Sequence, residues 1–175
     1  ELRQKLKHLW ATCVMENILM KRVNFDNPLR EKSYLRVRDE WKKITCTYKE
    51  LADWKLDINS MKEIETVIWD FDAMVSIFKT VWLKQKSYQE TYRETWAIWE
   101  KVFFMLDEWP WLKPFIEIVW ESEDIVIEYS KKLWFDYENA WFFWAVDELY
   151  LAETWIPREV INNLEVITFE NPPKK

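Results

Sequence analysis

The chain has 175 residues and a formal net charge of -6. That length is enough for one domain with a real core, and the acidic balance argues against a nucleic-acid surface as the main business while leaving room for a local basic cavity. No apolar run approaches membrane-spanning length and no signal peptide opens the chain, so no membrane is expected and a cytoplasmic protein follows; the start at Glu1 rather than Met reads as that of a fragment. Cys13 and Cys46 have no metal-type spacing and are expected as free thiols. His8 is the single histidine, which leaves His-based triads and His-rich metal sites without material.

In chain order, Leu2, Leu6 and Leu9 mark one side of an amphipathic helix over Glu1 to Trp10. Cys13-Val14-Met15 and Ile18-Leu19-Met20 are strand material ending at the turn Asp26-Asn27-Pro28. Tyr34 to Lys49 then alternates as a hairpin. Leu35 and Val37 share one face and Arg36 and Arg38 the other; beyond a polar break, Ile44, Cys46 and Tyr48 oppose Thr45, Thr47 and Lys49. If the apolar side packs against helices, Arg36, Arg38 and Lys49 project together, and three cations without interleaved acids repel unless an anion sits between them. Phosphate suits that place. The commoner meaning of such alternation is the wet side of a half-buried sheet, and the hairpin by itself favours it.

Met61 to Ile68 reads as a strand with Glu63 and Glu65 on one face, after a connection at Leu56 to Ser60. Asp70 or Asp72 caps a helix carrying Phe71, Met74, Val75, Phe78 and Val81 inward. Lys84 to Trp96 and Lys101 to Leu106 are strands, followed by the turn Asp107-Glu108-Trp109-Pro110 and a further strand at Phe115 to Val119. Ile125-Val126-Ile127 suits a strand or a helix to Leu133; Glu123-Asp124 favours the helix. Tyr137 to Ala152 reads as a second late helix with Phe142, Phe143, Val146, Leu149 and Tyr150 inward, and Leu164 to Phe169 as a final strand. Neither a repeat nor a linker splits the chain, so residues 1–175 are expected as one domain.

The composition has one abnormal feature: 14 tryptophans and no glycine. Average usage predicts roughly a dozen glycines. Trp10, Trp82 and Trp134 follow helix-like runs, where a left-handed cap is wanted; Trp41 and Trp54 sit in turn-like sequences; Trp99, Trp120 and Trp155 fall at element boundaries. These read as glycine sites occupied by Trp. A left-handed Trp costs about 1 kcal/mol or more, so many such sites approach a domain's whole stability of roughly 5–15 kcal/mol.

Tyr34-Leu35-Arg36-Val37-Arg38, Thr45-Cys46-Thr47-Tyr48-Lys49, Lys62-Glu63-Ile64-Glu65, Tyr92-Arg93-Glu94-Thr95-Trp96, Leu106 to Pro110 and Phe115-Ile116-Glu117-Ile118, in that order and spacing, resemble the CYTH superfamily, the triphosphate tunnel metalloenzymes. These include class IV adenylate cyclases, thiamine triphosphatases and inorganic triphosphatases. The likeness runs from Glu1 to about Phe169. The family commonly shows Gly where this chain has Trp10, Trp41, Trp82, Trp111 and Trp120, whereas Trp96, Trp109 and Trp141 look native. On that pattern 11 of the 14 tryptophans stand at glycine positions, through substitution or a codon read under the wrong genetic code.

The resemblance implies an α+β fold, a closed antiparallel β-barrel of about eight strands with flanking helices and a charged tunnel. Arg36, Arg38, Lys49 and Arg93 would hold triphosphate oxygens. Glu63, Glu65, Asp107 and Glu117 would supply carboxylates for Mg²⁺ or Mn²⁺. The expected partner is a triphosphate such as ATP, thiamine triphosphate or tripolyphosphate, with no nucleic acid; a homodimer is one possible form. The implied activity is hydrolysis of the triphosphate or cyclase-type phosphoryl transfer. Two departures weaken metal binding: no Glu-x-Glu-x-Lys strand precedes Glu1, and Val119 replaces the second acid of the family's Glu-Ile-Glu. A non-catalytic polyphosphate binder and an altered, inactive scaffold are the alternatives.

Overall fold

The structure, a computed structural model, describes residues 1–51, 61–139 and 145–173. Its elements are α1 (Leu2–His8), β1 (Thr12–Asp26), β2 (Ser33–Asp39), β3 (Ile44–Leu51), β4 (Met61–Ile68), α2 (Phe71–Thr80), β5 (Gln85–Ile98), β6 (Val102–Glu108), β7 (Phe115–Val119), α3 (Glu123–Lys132), α4 (Ala145–Thr154), α5 (Arg158–Asn162) and β8 (Val166–Ile167). The fold is α+β. Its sheet has the hydrogen-bonded order β4-β3-β2-β1-β5-β6-β7, with β8 beside β5. The β1–β2, β2–β3, β3–β4, β5–β6 and β6–β7 ladders are antiparallel, and β8 pairs in parallel with β5 at Tyr88 and Gln89. The order is an open path, so the expected closure into a barrel is not among the described ladders. No helix among the described residues is long and apolar enough to cross a membrane.

The chain groups into two compact units. One comprises residues 1–18, 92–108 and 113–141; the other comprises 19–91, 109–112 and 142–175.

In the first unit Leu6, Ala11, Trp96, Ile98, Val102, Phe104 and Leu133 form the core, with Ile116, Ile118, Ile125 and Tyr129 packed against it. Strand alternation dictates the rest. Since Trp96, Phe104 and Ile118 face that core, Arg93, Met105, Asp107 and Glu117 fall on the opposite face. Glu123 and Asp124 do open a helix, α3, which resolves the ambiguity at Ile125.

In the second unit Val23, Phe25, Val37 and Phe71 are the buried centre, flanked by Leu35, Ile44, Ile68, Met74, Val75 and Phe78. The Asp70 carboxylate accepts the Ala73 N–H at 2.9 Å and so starts α2, which lays its apolar stripe over this face. Phe25 and Phe78 meet edge to face, with ring centroids 5.2 Å apart. Phe25 is fully buried, and truncation there to Ala costs about 3–5 kcal/mol. The helix thus fixes which face of β1–β4 turns away from it.

The late helix departs from expectation. Tyr137–Asn139 is a 3-10 turn and α4 begins at Ala145; Phe142 and Phe143 lie outside the described residues. After Pro157 the chain forms the short α5, which the pattern did not announce. The final strand keeps only Val166–Ile167, because Thr168 turns: its Oγ1 accepts the Asn171 N–H at 3.0 Å. Trp54 and the connection at Leu56 to Ser60 also lie outside the described residues.

Candidate functional site

The face of the second unit turned away from α2 is polar, and over β2 and β3 its centre is buried. Arg36 is 7% exposed and Thr45 and Thr47 are fully buried. A half-buried sheet with a solvated side is therefore excluded for this hairpin. The register builds the face residue by residue: Arg22 stands opposite Arg38 and Asn24 opposite Arg36; Tyr34 opposite Lys49, Arg36 opposite Thr47 and Arg38 opposite Thr45; Thr47 opposite Glu65 and Lys49 opposite Glu63. Directly opposed residues share a face and place their Cβ atoms about 4.5–5.5 Å apart.

The cations are interleaved with acids, contrary to what the hairpin alone suggested. Arg36 Nη2 lies 3.8 Å from both Glu63 Oε1 and Glu65 Oε2, and 3.5 Å from Thr47 Oγ1. Lys49 Nζ is 2.9 Å from Glu63 Oε2. Arg38 pairs with Glu40 and reaches Glu65 at 4.0 Å, while Lys43 sits 3.6 Å from Glu65. The Thr47 hydroxyl donates to Glu65 at 2.9 Å. Positive charge still exceeds negative on the sheet face, where Arg22, Arg36, Arg38 and Lys49 surround Glu63 and Glu65.

Titration follows from this crowding. Burial, then the neighbouring Arg36, holds the Lys49 ammonium below its ordinary value, against the pull of Glu63. Burial pushes the Tyr34 phenol up, against Arg36 and Arg22. Burial raises the Glu65 carboxyl, but the Thr47 hydroxyl and the charges of Arg38, Lys43 and Arg36 together bring it below the usual carboxylate range. Three buried polar atoms of the face, Arg36 Nε, Thr45 Oγ1 and Asn24 Oδ1, have no hydrogen-bond partner among the described residues. A guanidinium with an unmet N–H in a buried site is costly and suits an incoming acceptor.

Arg22 was missed by motif, although alternation announced it: Arg22 and Asn24 oppose Val23 and Phe25, which face the core. Its Nη2 donates to Thr91 Oγ1 at 2.8 Å, and its guanidinium lies 4.9 Å from the Trp109 ring centroid.

The remaining predicted residues assemble in the first unit. Arg93 donates from Nε and Nη2 to the two oxygens of Asp107 at 2.6 and 2.5 Å, and from Nη2 to Glu117 Oε2 at 3.0 Å. Asp107 is buried and takes both arms of the fork, whereas the Glu117 side chain is 51% exposed. The structure therefore brings Arg36, Arg38, Lys49, Glu63 and Glu65 together in one unit, and Arg93, Asp107 and Glu117 together in the other. Among the described residues no group of three or more His, Cys, Asp or Glu side chains is gathered as a metal site. Glu63 and Glu65, two residues apart on β4, still offer carboxylate oxygens to the cationic face, which fits a hard cation that takes one or two carboxylates and completes its shell with water and phosphate.

No family model matches the chain, and no curated protein matches it. Solved structures do. The PH1012 protein from Pyrococcus horikoshii OT3 is 22% identical, with a TM-score of 0.65 over 79% of this chain and 85% of that one. A Vibrio parahaemolyticus protein provisionally named an adenylate cyclase is 15% identical, with a TM-score of 0.58 over 75% of this chain and 76% of its own. HpAC1 from Hippeastrum, provisionally an adenylyl cyclase and described as having a dominant triphosphatase activity, is 17% identical, with a TM-score of 0.52 over 84% and 90%. At these identities the likeness is one of fold alone; it supports the α+β antiparallel sheet with flanking helices, not its closure into a barrel.

Proposed function

We propose that this chain grips a triphosphate through Arg22, Arg36, Arg38 and Lys49 and, with a divalent cation, promotes attack at one of its phosphorus atoms. The observation that carries this reading is the buried excess of positive charge on the face of β1–β3, with Arg36 Nε unmet among the described residues. Fork-shaped guanidinium groups match phosphate oxygens in pairs, and Lys49 acts as a point charge. Because the cations are fixed by the strand register before any ligand arrives, little reorganisation is needed as charge develops on the transferred phosphoryl group. Closure of the sheet around a tunnel belongs to this proposal.

The residues that would hold Mg²⁺ or Mn²⁺ in the second unit are Glu63 and Glu65, and in the first unit Asp107 and Glu117. Such an ion supplies charge neutralisation and polarises the phosphoryl group. Attack by water gives hydrolysis, and attack by a ribose hydroxyl gives a cyclic nucleotide. The dominant triphosphatase activity described for one fold neighbour supports the first outcome, and the provisional cyclase names of two support the second.

The test is release of phosphate or pyrophosphate from tripolyphosphate, thiamine triphosphate and ATP with Mg²⁺ or Mn²⁺, repeated after chelation and with Arg36→Ala. Turnover that needs both the metal and Arg36 supports the enzyme. A second reading, a binder of polyphosphate without turnover, is favoured by the absence of a three-carboxylate cluster among the described residues; thermal stabilisation by tripolyphosphate without turnover selects it. Neither turnover nor stabilisation would end both.

A further inference from the structure

Of the described tryptophans, Trp96 and Trp109 are core residues, 5% and 7% exposed. Seven others, Trp10, Trp41, Trp82, Trp99, Trp111, Trp134 and Trp155, have φ between 52° and 69°, and each is 58–92% exposed. An exposed Trp ordinarily invites a reading as a docking anchor, but these positions are set by chain geometry. Three of them complete the same motif. After α1 the Trp10 N–H bonds Lys7 O at 3.0 Å and the Ala11 N–H bonds Leu6 O at 3.0 Å; after α2 the Trp82 N–H bonds Lys79 O at 3.2 Å and the Leu83 N–H bonds Phe78 O at 3.0 Å; after α3 the Trp134 N–H bonds Lys131 O and the Phe135 N–H bonds Ser130 O, both at 2.9 Å. Each is the paired 5→2 and 6→1 helix ending whose left-handed residue is usually glycine.

Trp155 follows the last residue of α4. The remaining three occupy the β2–β3, β5–β6 and β6–β7 connections. In the β5–β6 turn, Trp99 and Glu100 are left-handed in succession and the Lys101 N–H bonds Ile98 O at 3.0 Å, a primed hairpin turn of the kind glycine dominates. A Cβ in the left-handed region crowds the following carbonyl, and a bulky indole there gains little from burial when it points into water.

We propose that these seven positions carry glycine in the chain as it is made, because a codon written here as tryptophan is decoded as glycine in the source. Trp96 and Trp109 are genuine tryptophans from the ordinary codon. The chain as written has no glycine anywhere in 175 residues, which follows if all of its glycines are written with that codon.

The test is peptide sequencing and intact mass of the chain purified from its source. Glycine is expected at all seven positions, the mass falling by at least seven Trp-minus-Gly differences; tryptophan in those peptides overturns the proposal. A second measurement compares the recombinant chain as written with one carrying Trp10→Gly, Trp41→Gly, Trp82→Gly, Trp99→Gly, Trp111→Gly, Trp134→Gly and Trp155→Gly together. The substituted chain should melt about 15 °C higher or more, or fold where the other does not, while Trp96→Gly added to it should lower the melting point. A substituted chain no more stable than the one as written overturns the proposal as surely as the peptides would.

Discussion

Arg22 on β1 stands directly opposite Arg38 on β2 in the ladder, so two cationic residues share one sheet face. Thr91 and the Trp109 ring hold the first, and Glu40 and Glu65 the second. Like charges opposite each other in a sheet are destabilising, so this pair costs folding free energy that ligand binding would offset. Arg22→Met keeps the length of the side chain and removes the charge. It should leave the melting temperature unchanged or raised, as buried charges replaced by apolar groups often do. Affinity for tripolyphosphate should fall about tenfold or more, the scale of one charge-assisted hydrogen bond. Calorimetric titration beside a melting curve checks both; unaltered affinity would remove Arg22 from the phosphate grip.

Arg36 is the most enclosed cation whose Nε lacks a partner among the described residues. Arg36→Lys keeps the charge but loses the planar fork, so affinity for tripolyphosphate should drop about tenfold, and Arg36→Ala should cost more. Circular dichroism should show both variants folded. Loss of fold in Arg36→Lys would make the residue structural instead.

The alternation of β1–β4 and β5–β7 was legible because one face of each strand packs a core and the other does not; Val37 against Arg36 and Phe104 against Met105 show the rule at work. What it could not tell was whether the polar face met water. That depended on the full burial of Thr45 and Thr47, which strand alternation does not report. Motif matching found Arg36, Arg38 and Lys49 yet passed over Arg22, since a single Arg among Lys21, Val23 and Asn24 resembles any strand edge until its partner strand is known. At Tyr137–Asn139 the structure has a 3-10 turn where the apolar pattern predicts α-helix, and Phe142 and Phe143, which carry that pattern, lie outside the described residues.

Lys49 gives a pH signature. Burial and Arg36 hold its pKa below the ordinary 10.5, so the ammonium loses its proton at lower pH than a free lysine. An anion binds the charged form. Affinity for tripolyphosphate should therefore weaken as pH rises toward 10.5, and Lys49→Arg, which stays charged, should flatten that decline. Dissociation constants measured at stepped pH for both proteins check it; coincident profiles would show that Lys49 does not touch the ligand.

Glu94 links α1 to β5 in the first unit. The Arg3 guanidinium donates to both carboxylate oxygens at 2.8–3.0 Å, and the Trp96 indole N–H donates to Oε1 at 2.5 Å. The Arg3 fork, with the indole, holds this carboxyl below the ordinary 4.5 despite its burial. A carboxylate whose folded pKa is depressed stabilises the fold above its unfolded value, and that stability fades as pH falls through the lower, folded value. The melting temperature of the parent chain should therefore exceed that of Glu94→Gln at neutral pH, and the gap should narrow below pH 4.5. Because the Arg3 side chain is 62% exposed, it rehydrates when the acid is gone, so the neutral-pH gap should be modest, corresponding to about 1 kcal/mol. Melting curves from pH 7 down to about pH 3 decide the matter; a gap independent of pH would mean that the Glu94 side chain contributes by packing and not by charge.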